Sequence, residues 1–210
     1  MKTAIILHGM PSKEEYFNSQ SPAQSNKHWL PWIQRELILK NILTQTPEFP
    51  EPYEPDYKKW CSVFERLLID ENTILIGHSC GGGFLVRWLS EHKVKVGKVV
   101  LVAPWIDPEH ELKTGFFDFE IDENMAERTA GLIIFFSAND DGDILTSVQQ
   151  LRAKLKNVQI KKFVDYGHFT SSDMKTDQFP ELRNFIRLYL IFSASIALYS
   201  FCLSSFVNIL

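Results

Sequence analysis

Ser79 stands at the centre of Gly77-His78-Ser79-Cys80-Gly81, directly after the apolar run Thr73-Ile74-Leu75-Ile76. Glycine two positions to either side fits a sharp strand-to-helix elbow, because side chains at Gly77 and Gly81 would collide with neighbouring backbone. Such an elbow exposes the central hydroxyl. A serine becomes a useful nucleophile only when an imidazole takes its proton, and a carboxylate must hold that imidazole in one tautomer. Two later segments offer these groups in the order expected of a strand-elbow serine. Asp140-Asp141-Gly142-Asp143-Ile144 follows the apolar run Leu132 to Ser137, and Gly167-His168-Phe169 follows Gln159 to Val164. The chemistry this permits is nucleophilic attack on an acyl group.

Of six histidines, His168 alone lies in a post-strand loop late in the chain, which makes it the candidate base. His8 and His78 are placed to orient loops, while His28, His92 and His110 read as surface residues. Asp140, Asp141 and Asp143 compete for the acid. Asp141 is favoured over Asp140, because Asp-x-x-Ile sets a buried anchor, Ile144, after it. An oxyanion would need two backbone donors. The amide of Cys80, at the start of the next helix, is one; the amide of Met10, after the first strand, is the other, Pro11 having none. Cys80 is a poor candidate nucleophile, since the elbow exposes its central residue rather than the next one.

The elements needed to position these groups follow a β-α-β rhythm. Strands are expected at Thr3 to Leu7, Asn41 to Gln45, Thr73 to Ile76, Val99 to Ala103, Leu132 to Ser137 and Gln159 to Val164. Helices are expected at Trp29 to Lys40, Tyr57 to Ile69, Gly82 to His92 and Thr146 to Leu155. Continuous apolar runs such as Val99-Val100-Leu101-Val102 suit buried parallel strands, so the fold class is α/β, a three-layer α/β/α sandwich around a mostly parallel sheet. Functional loops then belong at the carboxyl ends of the strands.

A chain of 210 residues can bury a full core as one domain. A net charge of -4, with no basic block, argues against a nucleic-acid partner. Cys61, Cys80 and Cys202 have no metal-ligand spacing, and their odd number fits a reducing cytoplasm. The apolar start is too short for a secretory signal and reads as the first core strand. The proline-rich segment Pro47 to Pro55 reads as an extended loop, with a proline-recognition ligand as the other reading. Asp107 to Arg128 carries Phe116, Phe117 and Phe119, for which packing is preferred over a substrate-binding wall.

The runs Ile6-Leu7-His8-Gly9, His28-Trp29-Leu30-Pro31-Trp32, Thr73 to Ser79, Val100 to Ala103, Asp140-Asp141 and Gly167-His168-Phe169 together resemble the small serine hydrolases of the α/β-hydrolase fold. That family is typified by retinoblastoma-binding protein 9 and bacterial YdeN-like proteins. The resemblance covers most of Met1 to Ile186. It implies a compact hydrolase with a minimal lid and no cofactor, with Ser79 as nucleophile, the second aspartate of the pair, Asp141, as acid and His168 as base. The chain departs from the pattern at Ser12 to Lys27, which replaces a shorter glycine-rich segment.

The expectation is therefore a domain at 1-187 that cleaves a small ester or related acyl substrate. A catalytically weak protein-binding module is the alternative. The uncharged run Leu188 to Leu210 would span about 35 Å as a helix, long enough for a membrane anchor. A packed tail or an altered extension are the other readings of that run.

Overall fold

The computed structural model describes residues 2-187. Six strands form one sheet in the order β2-β1-β3-β4-β5-β6, and every pairing is parallel. They are β1 (Thr3–Leu7), β2 (Leu43–Gln45), β3 (Thr73–His78), β4 (Val99–Val102), β5 (Leu132–Ser137) and β6 (Val158–Phe163). The helices are α1 (Lys13–Phe17), α2 (Leu30–Ile38), α3 (Tyr57–Phe64), α4 (Cys80–His92), α5 (Gly142–Lys154) and α6 (Ser171–Met174). Every residue of β1, β3 and β4 is buried, so both faces of the sheet centre are covered. That is why these strands read as unbroken apolar runs rather than alternating ones.

The strand order reverses between β1 and β3: the chain leaves β1 for β2 on one side, then crosses to β3 on the other. Loops diverge at such a point and leave a crevice beyond the strand ends. Leu7 pairs in register with Gly77, so the loop after β1 and the turn after β3 emerge side by side at this crevice. Ser137 pairs with Phe163, which brings the turns after β5 and β6 together in the same way.

Besides the helical residues 180-187, α1 and α6 escaped the sequence reading. In α1, Ser12 caps the helix by accepting the Glu15 amide at 3.1 Å. In α6, Thr170 accepts the Asp173 amide at 3.1 Å. Helix α5 begins at Gly142, four residues before its expected start at Thr146.

By its internal contacts the chain divides into two compact units, Met1–Gln178 and Phe179–Leu210. In the second unit, residues 180-187 are helical. The apolar run 188-210 lies outside the described residues, and with it the anchor expectation. Among the described residues no helix is long and apolar enough to cross a membrane.

Candidate active site

Ser79 occupies a left-handed backbone conformation, φ 53° and ψ -123°. A non-glycine residue held there costs about 1–3 kcal/mol, so its surroundings must over-determine it. They do. The Ser79 amide donates to Val102 O at 2.9 Å, and its carbonyl accepts from the amides of Gly82, Gly83 and Trp105 at 2.9, 3.1 and 3.1 Å. The flanking glycines follow from the same crowding. A Cβ on Gly77 would lie 2.6 Å from Gly81 O, and one on Gly81 would lie 2.4 Å from His8 O. Ser79 thus caps the strand and starts α4 in one residue.

His168 Nδ1 lies 3.0 Å from Asp140 Oδ1. This corrects the expectation for Asp141: the structure brings Asp140, not Asp141, to the imidazole. In the turn after β5 the first of the pair faces inward, with a side chain that is 0% exposed. Asp141 is the exposed residue that leads into α5. Its amide donates to Asp140 Oδ1 at 2.8 Å, so it braces the carboxylate instead of replacing it. Asp143 Oδ1 accepts the Ile144 amide at 2.9 Å. Ile144 is buried, as the sequence argument required, but its anchoring does not distinguish the two aspartates.

The loop that carries His168 is held from two sides. From β5, Ser137 Oγ donates to Asn139 Oδ1 at 2.6 Å, and these two oxygens accept the amides of Tyr166 and Gly167, both at 2.9 Å. From α6, Asp173 Oδ2 accepts the His168 amide at 3.1 Å and the Thr170 hydroxyl at 2.7 Å. Burial works against the Asp173 charge, but hydrogen bonds from Thr170 and the His168 amide outweigh it and hold the carboxyl below its usual range. Gly167, at φ +48°, has no room for a Cβ, which would meet Asp173 Cγ at 2.6 Å. None of Ser137, Asn139 or Asp173 was singled out from sequence. The Thr170-x-x-Asp173 spacing is the one signal that could have found the last.

Gly9 abuts the elbow: a Cβ there would lie 3.0 Å from Ser79 Cβ. Among the described residues, neither the Met10 amide nor the Cys80 amide donates to another protein group. The Cys80 amide also opens α4, a helix of 13 residues whose dipole favours negative charge at this end. The Cys80 thiol is buried, and burial pushes it far above its ordinary pKa, so it is held as a neutral thiol.

Gly9, Met10, Ser79 and His168 border one open cleft of about 270 Å³. Glu15, Gln24 and His28 border it too, although His28 was expected at the surface. His28 turns inward at φ 56°, and its Nδ1 accepts the Ser171 amide at 3.1 Å. By contrast His110 is exposed, and His92 lies stacked on Trp88 at 4.6 Å. Phe116, Phe117 and Phe119 do not border this cleft. Phe116 is fully buried against Trp60, and Arg87 ties down the carbonyls of Gly115 and Phe116 at 2.7 Å each, so packing is its role; Phe117 and Phe119 are half-buried and line a separate cavity of about 160 Å³.

His8, His28 and His78 all have lowered pKa values, in each case chiefly because burial disfavours the cation. Neighbouring histidines lower His78 further, and its Nε2 donates to His168 O at 2.8 Å. On acidification the unfolded chain binds protons at these residues first, since an unperturbed histidine titrates near about 6.5. The stability they contribute is therefore full above that pH and drains as pH falls below it. Asp173, and Asp122 held at about 2 by Lys93, act only at lower pH. Urea midpoints should accordingly fall between about pH 6.5 and 5, and the fall should be shallower in His78→Gln. Midpoints that stay flat across that interval would contradict buried neutral imidazoles.

A parallel sheet with a serine elbow at its switch point, and a histidine on an aspartate beside it, defines the class of α/β hydrolases. The chain belongs to the serine hydrolase family, whose model matches residues 20–186. It is a small serine hydrolase of the kind represented by RBBP9 and YdeN. Against YdeN of Bacillus subtilis (strain 168) it is 26% identical over 179 residues, covering 77% of this chain and 88% of that one. Against the serine hydrolase RBBP9 of Rattus norvegicus it is 27% identical over 150 residues, covering 69% and 80%. The crystal structure of the B. subtilis ydeN gene product superposes with a TM-score of 0.75 at 20% identity, covering 90% of this chain and 99% of that one. Est1E from Butyrivibrio proteoclasticus shares the fold at a TM-score of 0.61 and 14% identity, over 92% and 88% of the two chains.

Proposed function

We propose that the protein hydrolyses a small ester or related acyl compound through an acyl-enzyme on Ser79, as a carboxylesterase-like member of a three-layer fold with a minimal lid. Ser79 Oγ attacks the acyl carbon while its proton passes to His168 Nε2, and Asp140 holds the Nδ1 proton and stabilises the imidazolium. The amides of Cys80 and Met10 receive the oxyanion. Collapse of the tetrahedral adduct breaks the bond to the leaving group, which takes the proton back from Nε2. Water then attacks the acyl-serine, with His168 again as base and then acid, and the free acid departs. No cofactor enters this scheme.

The observation that carries the reading is the Asp140–His168 hydrogen bond beside the cleft that Ser79 borders. The cleft volume lies just below the usual range for ligand pockets, about 300–1,000 Å³, which favours a short acyl group. A fluorophosphonate probe should label the wild-type protein rapidly and leave Ser79→Ala and His168→Ala unlabelled. A folded wild type that resists the probe would favour a non-catalytic binding module instead.

A further inference from the structure

The proline-rich loop, which the hydrolytic scheme leaves unused, reaches the site through His8. Phe49 is buried in that loop and stacks on Trp60 with ring centres 4.1 Å apart and planes 7° from parallel. Its amide donates to His8 Nε2 at 3.1 Å. A ring nitrogen that accepts carries no proton, so in the neutral ring the proton sits on Nδ1. Nδ1 lies 2.8 Å from Gly9 O and donates to it. Phe49 and Trp60 also meet the His8 ring edge-on, at 5.3 and 5.8 Å, and fix its plane.

The Gly9 carbonyl and the Met10 amide belong to one peptide group. That group is planar and trans, so its C=O and N–H point in opposite directions. A hydrogen bond that fixes the Gly9 carbonyl therefore fixes the aim of the Met10 N–H, which has no acceptor among the described residues. Gly9 packs directly against Ser79, so the free N–H starts beside the nucleophile. The same loop steadies the far wall of the cleft: Glu48 accepts the amides of Gln24 and Ser25 at 3.1 and 2.8 Å, and Gln24 borders the cleft.

We infer that His8 is a positioning residue for the oxyanion site: locked by the Phe49 amide, it holds the Gly9–Met10 peptide so that the Met10 N–H faces the developing negative charge. This rests on the hydrolytic reading above. Through it, the Pro47 to Pro55 segment serves the reaction from a distance rather than as a ligand for a proline-recognition module.

Replacing the carbonyl oxygen of a substrate by sulfur tests the point, because thiolate is a weaker hydrogen-bond acceptor than the oxyanion it replaces. The wild type should turn over a short-chain aryl ester much faster than the matching thionoester. In His8→Gln and His8→Phe, which lack a donor at the Nδ1 position, the oxygen-ester kcat should fall roughly 10- to 100-fold with KM little changed. The preference for oxygen over sulfur should shrink by a similar factor. His8→Asn, whose amide nitrogen falls near the Nδ1 position, should recover much of both. An oxygen preference that stays constant across the variants overturns the inference, as does His8→Asn behaving like His8→Gln. Nitrogen-15 spectra of the wild type supply a readout that needs no variant to fold: the Nδ1–H tautomer of His8 supports the inference and the Nε2–H tautomer overturns it. Loss of wild-type probe labelling would instead remove the hydrolytic reading, and the two failures stay distinct.

Discussion

Asp140→Asn is expected to lower kcat for a short-chain ester by about 10⁴-fold, whereas Asp141→Asn should leave it within a few-fold of wild type. The two residues are neighbours of identical chemistry, so their difference rests wholly on geometry. Asp140 is enclosed, accepts the His168 ring proton at 3.0 Å, and leaves its second oxygen buried without a partner among the described residues. A negative charge in that setting has little water to screen it, and it acts strongly on an imidazolium 3.0 Å away. Asparagine keeps the shape and loses the charge, so the cation formed during attack goes unstabilised and the ring is free to adopt the wrong tautomer. Asp141 is exposed, and only its backbone amide touches the site, a contact that the substitution preserves. Steady-state kinetics on the two purified variants decide the matter, and a larger loss at Asp141 would reverse the assignment.

Much of this arrangement is legible in the sequence because local rules and burial agree. Every expected strand is present within a few residues, and the central ones, β1, β3 and β4, are the plainest because strands covered on both faces must be apolar throughout. The glycines about Ser79 announce the elbow because the clashes they avoid are with backbone, which no rotamer change can relieve. Which of the two aspartates meets His168 is not legible in the same way, for a different reason. Whether Asp140 or Asp141 points inward depends on where α5 begins, and the expected start at Thr146 lay beyond both, giving no parity for the turn. The start at Gly142 makes Asp141 the helix-leading residue and sends Asp140 inward.

Other groups depend on contacts across long stretches of chain. Asn139 and Ser137 reach Gly167 and Tyr166, and His28 reaches Ser171, and no spacing within either segment announces such pairings. Helices α1 and α6 were within reach. Ser12-x-x-Glu15 and Thr170-x-x-Asp173 both carry a recognised start signal, but each helix is a single short turn or little more and shows no apolar periodicity.

In the proposed reaction everything turns on Ser79 carrying the acyl group. In that reaction the hydroxyl, the base and the oxyanion donors act as one unit, so removing the nucleophile should cost nearly the whole of their joint effect: Ser79→Ala should lose on the order of 10⁶ in kcat. The most direct measurement is rapid acid quenching during turnover of a short-chain aryl ester, followed by peptide mapping by mass spectrometry. The acyl mass should appear on the peptide bearing Ser79, localised to that residue and absent from Ser79→Ala. An acyl group on Cys80 or Cys61, or full turnover by Ser79→Ala, would contradict it.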